Sequence, residues 1–363
     1  MTHRRLPVLV TAAAIAVALA IPGVASAHSD PAGFVYTETN ATAGNSILAF
    51  TPSADGQLSS IGSFSTHGTG TGAGLATQGE LVLSTDGNWL LAVNAGSNDV
   101  SLFRVRDNGT LVFSDKAVTG GTDPVSVTTY GNLVYVLDAG GSGNIAGFRL
   151  DDGRLHAIAG SIRPLSGSGT NPAEVAFSTN GKFLVVTERA TNMLDVYAVS
   201  DGRAGTPVTS ASSGPVPYGV AFDLRNHPIV SEAANSTLSS YRLSSLGATV
   251  ISASVPTGGI AACWVAVTPN GRWAFDSNAH GGTISSFSVA SSGAIALVHS
   301  VAANTGAGSA PLDLGVTNNG RLLYVYLAGT HTVAGYWIGS GGTLTAISGG
   351  PVLPASASGL AVS

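Results

Sequence analysis

The sequence predicts an all-β protein, a seven-bladed β-propeller, from a repeated unit, a turn-rich composition and a matched pair of chain ends. The unit spans about 48 residues and occurs seven times, which is typical of propeller blades. Two tight turns mark each copy. They centre on Gly33, Gly87, Gly131, Gly181, Asn226, Gly271 and Gly320, and on Gly56, Gly109, Gly153, Gly202, Gly247, Gly293 and Gly342. Because the blades of a propeller converge on a central channel, we expect function at one mouth of that channel.

The composition favours strands over helices. Glycine accounts for 48 of 363 residues, and only 10% of residues are charged, which leaves little material for the polar face of an amphipathic helix. Short apolar runs between turns predict strands instead. Examples are Leu90–Val93, Leu133–Leu137, Phe183–Thr187 and Leu322–Tyr326.

The two ends of the repeat predict how the ring closes. Later units open with a strand of the form Pro-x-x-Val-Ala, such as Pro172–Ala176, but the first unit starts without one at Gly33–Tyr36. The last residues, Ser358–Ser363, match the opening strand at Tyr218–Asp223. We therefore predict that the C-terminal strand completes the first blade as its innermost strand, which removes two open sheet edges.

Residues 1–27 read as a signal peptide, and residues 28–363 as a single propeller domain. Arg4 and Arg5 precede the apolar run Leu6–Ile21, and Ala25-Ser26-Ala27 fits a signal-peptidase site. The apolar run is shorter than the ~20 residues needed to span a bilayer. The sequence therefore predicts an exported protein, secreted or periplasmic, with no membrane span.

Charge and cysteine content limit the partners of the domain. Without Arg4 and Arg5, 13 basic residues face 20 acidic ones, a net charge of −7, which argues against nucleic acid or anionic membrane as a partner. We expect a monomer that binds a small-molecule ligand or a surface partner.

Cys263 is the only cysteine, so no intrachain disulfide forms. Its apolar strand Ala261–Val267 predicts a buried structural thiol.

Two sets of polar residues are predicted to meet at one mouth of the channel. The position two residues into each innermost strand reads Glu80, Ser126, Glu174, Gly219, Trp264, Asp313 and Gly359. Each second strand runs back antiparallel, so its end lies beside the start of the first strand. These ends are Asn94, Asp138, Glu188, Glu232 and Asn278, with Asn40 and Tyr326 as the corresponding positions of the first and last units.

Carboxylates crowded at a mouth raise one another's pKa, which suits general acid–base chemistry. They are also the oxygen ligands that calcium prefers. Glu80, Asp138 and Asp313 are the predicted metal ligands, with calcium as the one cofactor considered. Trp264, Asn94, Asn278 and Glu232 are the predicted ligand-binding residues. The alternative is that these strand-end groups only bond the turn backbone, and that Trp264 only packs in the core.

The strand pattern resembles the lactonase-like seven-bladed propellers, a group that includes bacterial 6-phosphogluconolactonase and the fungal carboxymuconate cyclases. The residues that carry the resemblance are Asn171–Phe177, Phe183–Glu188 and Pro311–Gly315. The resemblance implies the propeller fold over nearly the whole domain, and it places Glu174 and Glu188 on active-site positions of the family.

One departure from the family pattern affects the expected substrate. The 6-phosphogluconolactonase pattern carries Arg and then His where this chain has Ala173 and Glu174. Only Arg189 remains nearby as a cation, and an exported protein would not meet a cytoplasmic sugar phosphate. We therefore predict negligible activity on 6-phosphogluconolactone.

Three functional hypotheses stay open from the sequence. The first is hydrolysis or isomerisation of a lactone or related cyclic ester, with Glu188 or Glu174 as the base and Arg189 or His280 as the donor to the oxyanion. His280 enters because it lies in the loop just after Asn278. The second is a non-catalytic extracellular propeller that binds a ligand or a protein. The third is a subunit of a redox complex, for which no cofactor motif is present.

Overall fold

The computed structural model describes residues 1–3 and 33–363. The predicted signal peptide, residues 1–27, falls outside the described residues except for its first three. In residues 33–363 the regular elements are thirty β-strands arranged in seven sheets. The predicted all-β, seven-bladed propeller is confirmed. In the part of the chain that the structure describes, no helix is long and apolar enough to cross a membrane.

The first four blades contain most of the short strands. Blade 1 contributes β1 (Val35–Glu38), β2 (Ser46–Pro52) and β3 (Leu58–Ser65). Blade 2 comprises β4 (Leu81–Leu83), β5 (Trp89–Asn94), β6 (Asp99–Val105) and β7 (Leu111–Val118). Blade 3 comprises β8 (Pro124–Tyr130), β9 (Leu133–Asp138), β10 (Asn144–Asp151), β11 (Arg154–Ala157) and β12 (Arg163–Pro164). Blade 4 comprises β13 (Pro172–Phe177), β14 (Phe183–Glu188), β15 (Met193–Ser200), β16 (Arg203–Ala204) and β17 (Val208–Ala211).

The remaining blades are regular four-stranded sheets. Blade 5 comprises β18 (Pro217–Phe222), β19 (Pro228–Glu232), β20 (Thr237–Ser244) and β21 (Gly247–Pro256). Blade 6 comprises β22 (Ala262–Val267), β23 (Trp273–Asn278), β24 (Thr283–Val289) and β25 (Ile295–Asn304). Blade 7 comprises β26 (Pro311–Val316), β27 (Leu322–Leu327), β28 (Thr332–Ile338) and β29 (Leu344–Ile347), and β30 (Ser358–Val362) follows it.

The C-terminal strand closes the ring as predicted. The first sheet has the order β3-β2-β1-β30, and β30 pairs antiparallel with β1, with Val362 opposite Val35. Side chains strengthen the joint. The Thr37 hydroxyl donates to the Gly359 carbonyl at 2.7 Å, and the Phe34 N–H donates to Ser363 Oγ at 2.7 Å. The innermost edge of blade 1 is therefore built from the last residues of the chain.

The repeated turns need a left-handed backbone. All fourteen predicted turn centres have positive φ, from +56° at Gly131 to +102° at Gly247. Thirteen are glycine, which adopts this region without a Cβ penalty, and Asn226 is the kind of residue that tolerates it best among the others. At Gly109 a Cβ would also lie 2.3 Å from the Phe34 ring of the preceding blade. These turns therefore fix both strand direction and blade spacing.

The core lies between adjacent blades. In one cluster, Leu91 and Val93 of blade 2 pack against Val134, Val136 and Phe148 of blade 3, and comparable clusters join the other blades. Each sheet presents one edge to the channel, while its side chains project from its two faces toward the neighbouring blades. This orientation determines which polar residues can reach the channel.

The linker between β3 and β4 crosses the channel. Residues 70–79, which we call the channel plug, contact blades on the far side of the ring. The Gln78 N–H donates to the Ala173 carbonyl of blade 4 at 3.1 Å, and the Trp264 indole N–H of blade 6 donates to the Thr77 carbonyl at 2.8 Å. The mouth at which the innermost strands begin is therefore partly covered by the chain itself.

Candidate functional site

The innermost strands begin with an irregular register at the plugged mouth. In blade 6, Ala262 pairs with Asn278, but the next paired residue is Trp264, opposite Ser277. Cys263 therefore sits in a bulge without a paired partner. The same irregularity follows Pro172 in blade 4. Bulges re-aim side chains and are common next to binding sites.

A pocket of about 560 Å³ opens beside the channel plug, over the innermost strands of blades 5, 6 and 7. Ligand pockets commonly have volumes of about 300–1,000 Å³. Most of its walls are apolar, and they include Ala76 of the plug, Val216, Ile260, Ala261 and Leu312. Its polar groups belong to Tyr218, Ser236, Cys263, Trp264 and His280.

Several residues that line the pocket hold an unfavourable backbone conformation. The φ angles of Ala76, Val216, Ser236 and Ala261 lie between +54° and +61°. Val216 is β-branched, and for such a residue this region is a true outlier. Its N–H donates to Asn192 Oδ1 at 2.7 Å, which helps hold the strained segment. Backbone strain of this kind persists only where surrounding contacts fix the conformation, and it is common at functional sites.

Trp264 and Tyr218 form the floor of the pocket. Their ring centroids are 4.9 Å apart, and Trp264 is 2% exposed. The Trp264 N–H is used by the Thr77 carbonyl, and the Tyr218 hydroxyl donates to the Ala76 carbonyl. Trp264 therefore lies at the pocket, where the sequence placed a ligand-binding residue, and offers a ligand its ring surface only.

Arg189 is fully engaged in holding the plug. Its Nε donates to the Asn171 carbonyl, Nη1 donates to the Ala76 carbonyl and the Tyr218 hydroxyl, and Nη2 donates to Asn171 Oδ1 and the Pro172 carbonyl. These contacts use all five N–H donors of the guanidinium. The Cζ atom of Arg189 also lies 5.0 Å from the centre of the Tyr218 ring. The hypothesis that Arg189 donates to an oxyanion does not fit this geometry, because no donor is free.

His280 lies at the rim of the pocket. It follows β23 in an exposed loop, and its backbone N–H donates to the Ile260 carbonyl at 3.2 Å. Ser236 lies on the same pocket, where its Oγ accepts the Ala261 N–H at 2.8 Å. The Ser236 hydroxyl proton remains available to a ligand. Burial raises the pKa of the nearby Cys263 thiol to about 12, and the Asp276 carboxyl adds to that shift, so Cys263 is a neutral wall residue.

The strand-start carboxyls lie in the channel. Glu174 accepts the Val220 N–H and is 6% exposed, and burial raises its pKa well above the usual range. Burial raises the pKa of Glu80 to about 7. The pKa of Asp313 is raised first by burial and then by the charges of Glu80 and Glu174. Burial thus favours the neutral form of the Glu174 carboxyl, and the Val220 N–H occupies one of its oxygens, which does not suit the predicted role of base.

The strand-end residues bond to their own blade and to the linker that precedes it. Glu232 accepts the Gly214 N–H at 2.7 Å, the Ser239 hydroxyl at 2.7 Å and the Ser254 hydroxyl at 3.0 Å. Glu188 likewise accepts the N–H and the hydroxyl of Ser166.

The other three strand-end residues follow the same pattern. Asp138 accepts the Thr119 hydroxyl, Asn278 accepts the Thr257 hydroxyl, and Asn94 donates to Asp99. The register places these residues beside the strand starts, as predicted. Their side chains, however, bond their own blade or the linker that precedes it, so these hydrogen bonds hold the protein's own chain in place.

The three predicted metal ligands do not converge. Glu80 and Asp313 interact in the channel, whereas Asp138 bonds Thr119 in the linker between blades 2 and 3. Among the residues that the structure describes, no group of three or more His, Cys, Asp or Glu side chains is placed to hold a metal ion. The calcium site predicted from these residues therefore has no assembled ligand set here.

Sequence reasoning missed several residues at the mouth. Tyr218, Ser236 and Cys263 line the pocket, and Gln78 of the plug spans the channel. Glu38 ends β1, is fully buried and accepts the Asn45 amide at 2.8 Å. Aligning the second-strand ends to β1 by register would have found Glu38. No local pattern marks the plug, because its partners are far away in sequence.

The sequence model of one protein family, described as "Lactonase, 7-bladed beta-propeller", matches residues 32–164 and 227–349, more than half of the chain. The stretch between the two matched segments, residues 165–226, contains Glu174, Glu188 and Arg189. The pocket residues Ser236, Trp264 and His280 fall inside the match. No curated protein matches the chain.

Solved structures share the fold at low sequence identity. A putative 6-phosphogluconolactonase from Bacteroides fragilis is 20% identical with a TM-score of 0.69, covering 92% of this chain and 98% of its own. A second one from Bacteroides uniformis is 18% identical with a TM-score of 0.70, covering 90% and 98%. The periplasmic gluconolactonase PpgL of Pseudomonas aeruginosa is 17% identical with a TM-score of 0.68, covering 91% and 98%. At these identities the likeness shows the fold alone.

Proposed function

Because this chain belongs to the lactonase family of seven-bladed β-propellers, we propose that it hydrolyses a lactone or related cyclic ester in the pocket beside the channel plug. The observation that carries the proposal is the placement of His280 and the Ser236 hydroxyl on one apolar pocket of about 560 Å³. A base and an oxyanion donor are the two groups that ester hydrolysis requires.

In the proposed reaction, the His280 imidazole accepts a proton from a water molecule as the water oxygen bonds to the lactone carbonyl carbon. The carbonyl oxygen becomes an oxyanion, to which Ser236 Oγ donates a hydrogen bond. Collapse of this intermediate breaks the bond between the carbonyl carbon and the ring oxygen. The imidazolium returns its proton to that ring oxygen, and the product is the open hydroxy acid.

The pocket walls support this chemistry. Apolar groups and the Trp264–Tyr218 floor limit the water around the ester, so a hydrogen bond to the oxyanion counts for more than in bulk solvent. The Ser236 Oγ is held in place by the Ala261 N–H at 2.8 Å. The strained φ angles of Ser236 and Ala261 support a site that is held ready before the ligand arrives.

We predict that His280→Ala lowers kcat/KM for lactone hydrolysis by about 100-fold or more, because a positioned general base contributes about 10²–10⁴-fold. Hydrolysis is measured by titrating the released acid across a panel of lactones. His156→Ala is the matched control, since His156 is exposed on β11 in blade 3. Equal activity of the His280 and His156 variants, with the wild type active, would refute the assignment of the base.

A binding propeller without turnover is the second candidate. The observation that favours it is the full engagement of Arg189 and the burial of Glu174, which leave His280 as the one exposed base among the residues named at the pocket. Ligand binding by calorimetry without any hydrolysis would select this candidate.

We also propose that the protein is exported. The support is the order of basic residues, apolar run and small residues within residues 1–27. N-terminal sequencing of the protein recovered outside the cytoplasm should start at His28, and retention of Met1 would contradict cleavage.

A further inference from the structure

We infer that the pocket takes an uncharged lactone with an apolar side group, in preference to a polyhydroxylated or phosphorylated sugar lactone. The inference rests on the proposed function for the ring-opening step. Its own support is the chemistry of the pocket walls, which bears on binding whether or not turnover follows.

The walls are suited to an alkyl group. Val216, Leu312 and Ile260 line the pocket together with alanines from the plug and from blades 5 and 6. Ile260 is 61% exposed, so a ligand that covers it removes apolar surface from water. Each buried methylene contributes about 0.8 kcal/mol, or roughly a fourfold gain in binding.

The polar atoms at the floor are already paired within the protein. The Trp264 N–H and the Tyr218 hydroxyl both donate to plug carbonyls. A sugar lactone would bring several hydroxyls to this surface, and each hydroxyl buried without a partner lowers binding by about tenfold or more. Ser236 and His280 suffice for one ester group, not for a ring of hydroxyls.

Among the described residues that line the pocket, none is a lysine or an arginine that could pair with a phosphate. Arg189 lies over the ring of Tyr218, which lines the pocket, but its donors are taken by Ala76, Asn171, Pro172 and Tyr218 itself. The carboxyls of Glu80 and Asp313 lie in the channel nearby and interact with each other. An anionic ligand would therefore gain no new charge pair from the residues that line this pocket.

The first measurement compares kcat/KM for δ-valerolactone, δ-octalactone and δ-decalactone with that for glucono-δ-lactone. We expect kcat/KM to rise by about fourfold per methylene along the alkyl series until the pocket is filled, and glucono-δ-lactone to fall at least 100-fold below δ-decalactone. A second measurement, by calorimetry, follows the binding of lactams with the same alkyl chains. Lactams are used because an amide hydrolyses far more slowly than the corresponding ester.

The variant Ile260→Ser should flatten the alkyl trend in both measurements. Ile162→Ser is the matched control, because Ile162 is also an exposed isoleucine, at 53%, and lies near β12 in blade 3, away from the pocket. An equal flattening in both variants would overturn the assignment of the alkyl group to this pocket.

The outcomes separate the two proposals. Alkyl lactams that bind with the expected trend, with no lactone hydrolysed, support the apolar pocket and refute the hydrolase. Hydrolysis of glucono-δ-lactone or of 6-phosphogluconolactone at least as efficient as that of δ-decalactone supports the hydrolase and overturns the apolar preference. The absence of both binding and hydrolysis across the panel refutes both.

Discussion

At the scale of single residues, Gln78 holds the plug across the channel. Its Oε1 accepts the Val265 N–H at 3.0 Å, and its Nε2 donates to the carbonyls of Val265 at 3.1 Å and Val220 at 3.3 Å. The innermost strand of a blade has no neighbouring strand on its channel side, so its backbone groups need other partners. One side-chain amide supplies them for blades 5 and 6 together.

We predict that Gln78→Glu lowers the free energy of unfolding by about 2 kcal/mol or more. The change replaces the donor amide with a carboxyl that faces the Val220 and Val265 carbonyls and the buried Glu174. The two carbonyls then lose their hydrogen-bond donor. Gln57→Glu is the control, since Gln57 is exposed in a turn of blade 1. Urea denaturation of both variants checks this. A loss at Gln78 no larger than that at Gln57 would contradict the bridging role.

At the scale of elements, the closing strand β30 connects the ends of the chain and the plug. Besides its pairing with β1, its Ser358 Oγ accepts the Leu75 N–H of the plug at 2.9 Å. From the blade 1 side, the Thr37 hydroxyl bonds the same strand and the Phe34 N–H bonds Ser363, which directly follows it. One five-residue strand thus joins blade 1, blade 7 and the plug.

We predict that deletion of Ser358–Ser363 lowers Tm by well over ten degrees or prevents folding. The deletion leaves β1 with an open edge and unpairs the plug, and both effects act on the whole ring. Extension of the C-terminus by a short Gly-Ser tail serves as the control for altering this end. If the truncated protein melted within a degree or two of the wild type, the ring would not depend on this strand.

At the scale of the whole molecule, buried carboxyls make stability depend on pH. Burial raises the pKa of Glu80, Asp138 and Asp195 to about 7 each. Burial also raises the pKa of Asp276, both of whose oxygens lack a partner among the described residues, well above its usual range. The unfolded chain releases these protons near pH 4, whereas the folded protein keeps them to higher pH.

We predict that stability falls as the pH rises from about 5 to about 7 and continues to fall more slowly above that. In this range the folded state binds more protons than the unfolded state, so the slope of unfolding free energy with pH is negative. Asp276→Asn, which stays neutral at every pH, should raise Tm at pH 8 and flatten the curve. A Tm that rose between pH 5 and pH 7 in the wild type would contradict the buried carboxyl assignments.

The repeat, the turns and the ring closure could be predicted from residue types along the chain. Those features are local. A glycine at a turn centre such as Gly131 is required by the positive φ of that one position, and Ser358–Ser363 could be matched to Tyr218–Asp223 by residue type. The sequence also pointed to Trp264 and His280, because both fall near the starts of innermost strands or the ends of second strands.

Which polar groups meet depends on contacts between residues far apart in the chain. Glu188 and Glu232 lie at the predicted end of their blades, but their side chains bond the preceding linker, and that of Glu232 also bonds its own blade. Arg189 reaches Ala76 across 113 residues of sequence, and Trp264 reaches Thr77 across 187. No local pattern encodes contacts of that range, since they depend on the curvature of the complete ring, and the pocket that they shape exists only once the seventh blade has closed on the first.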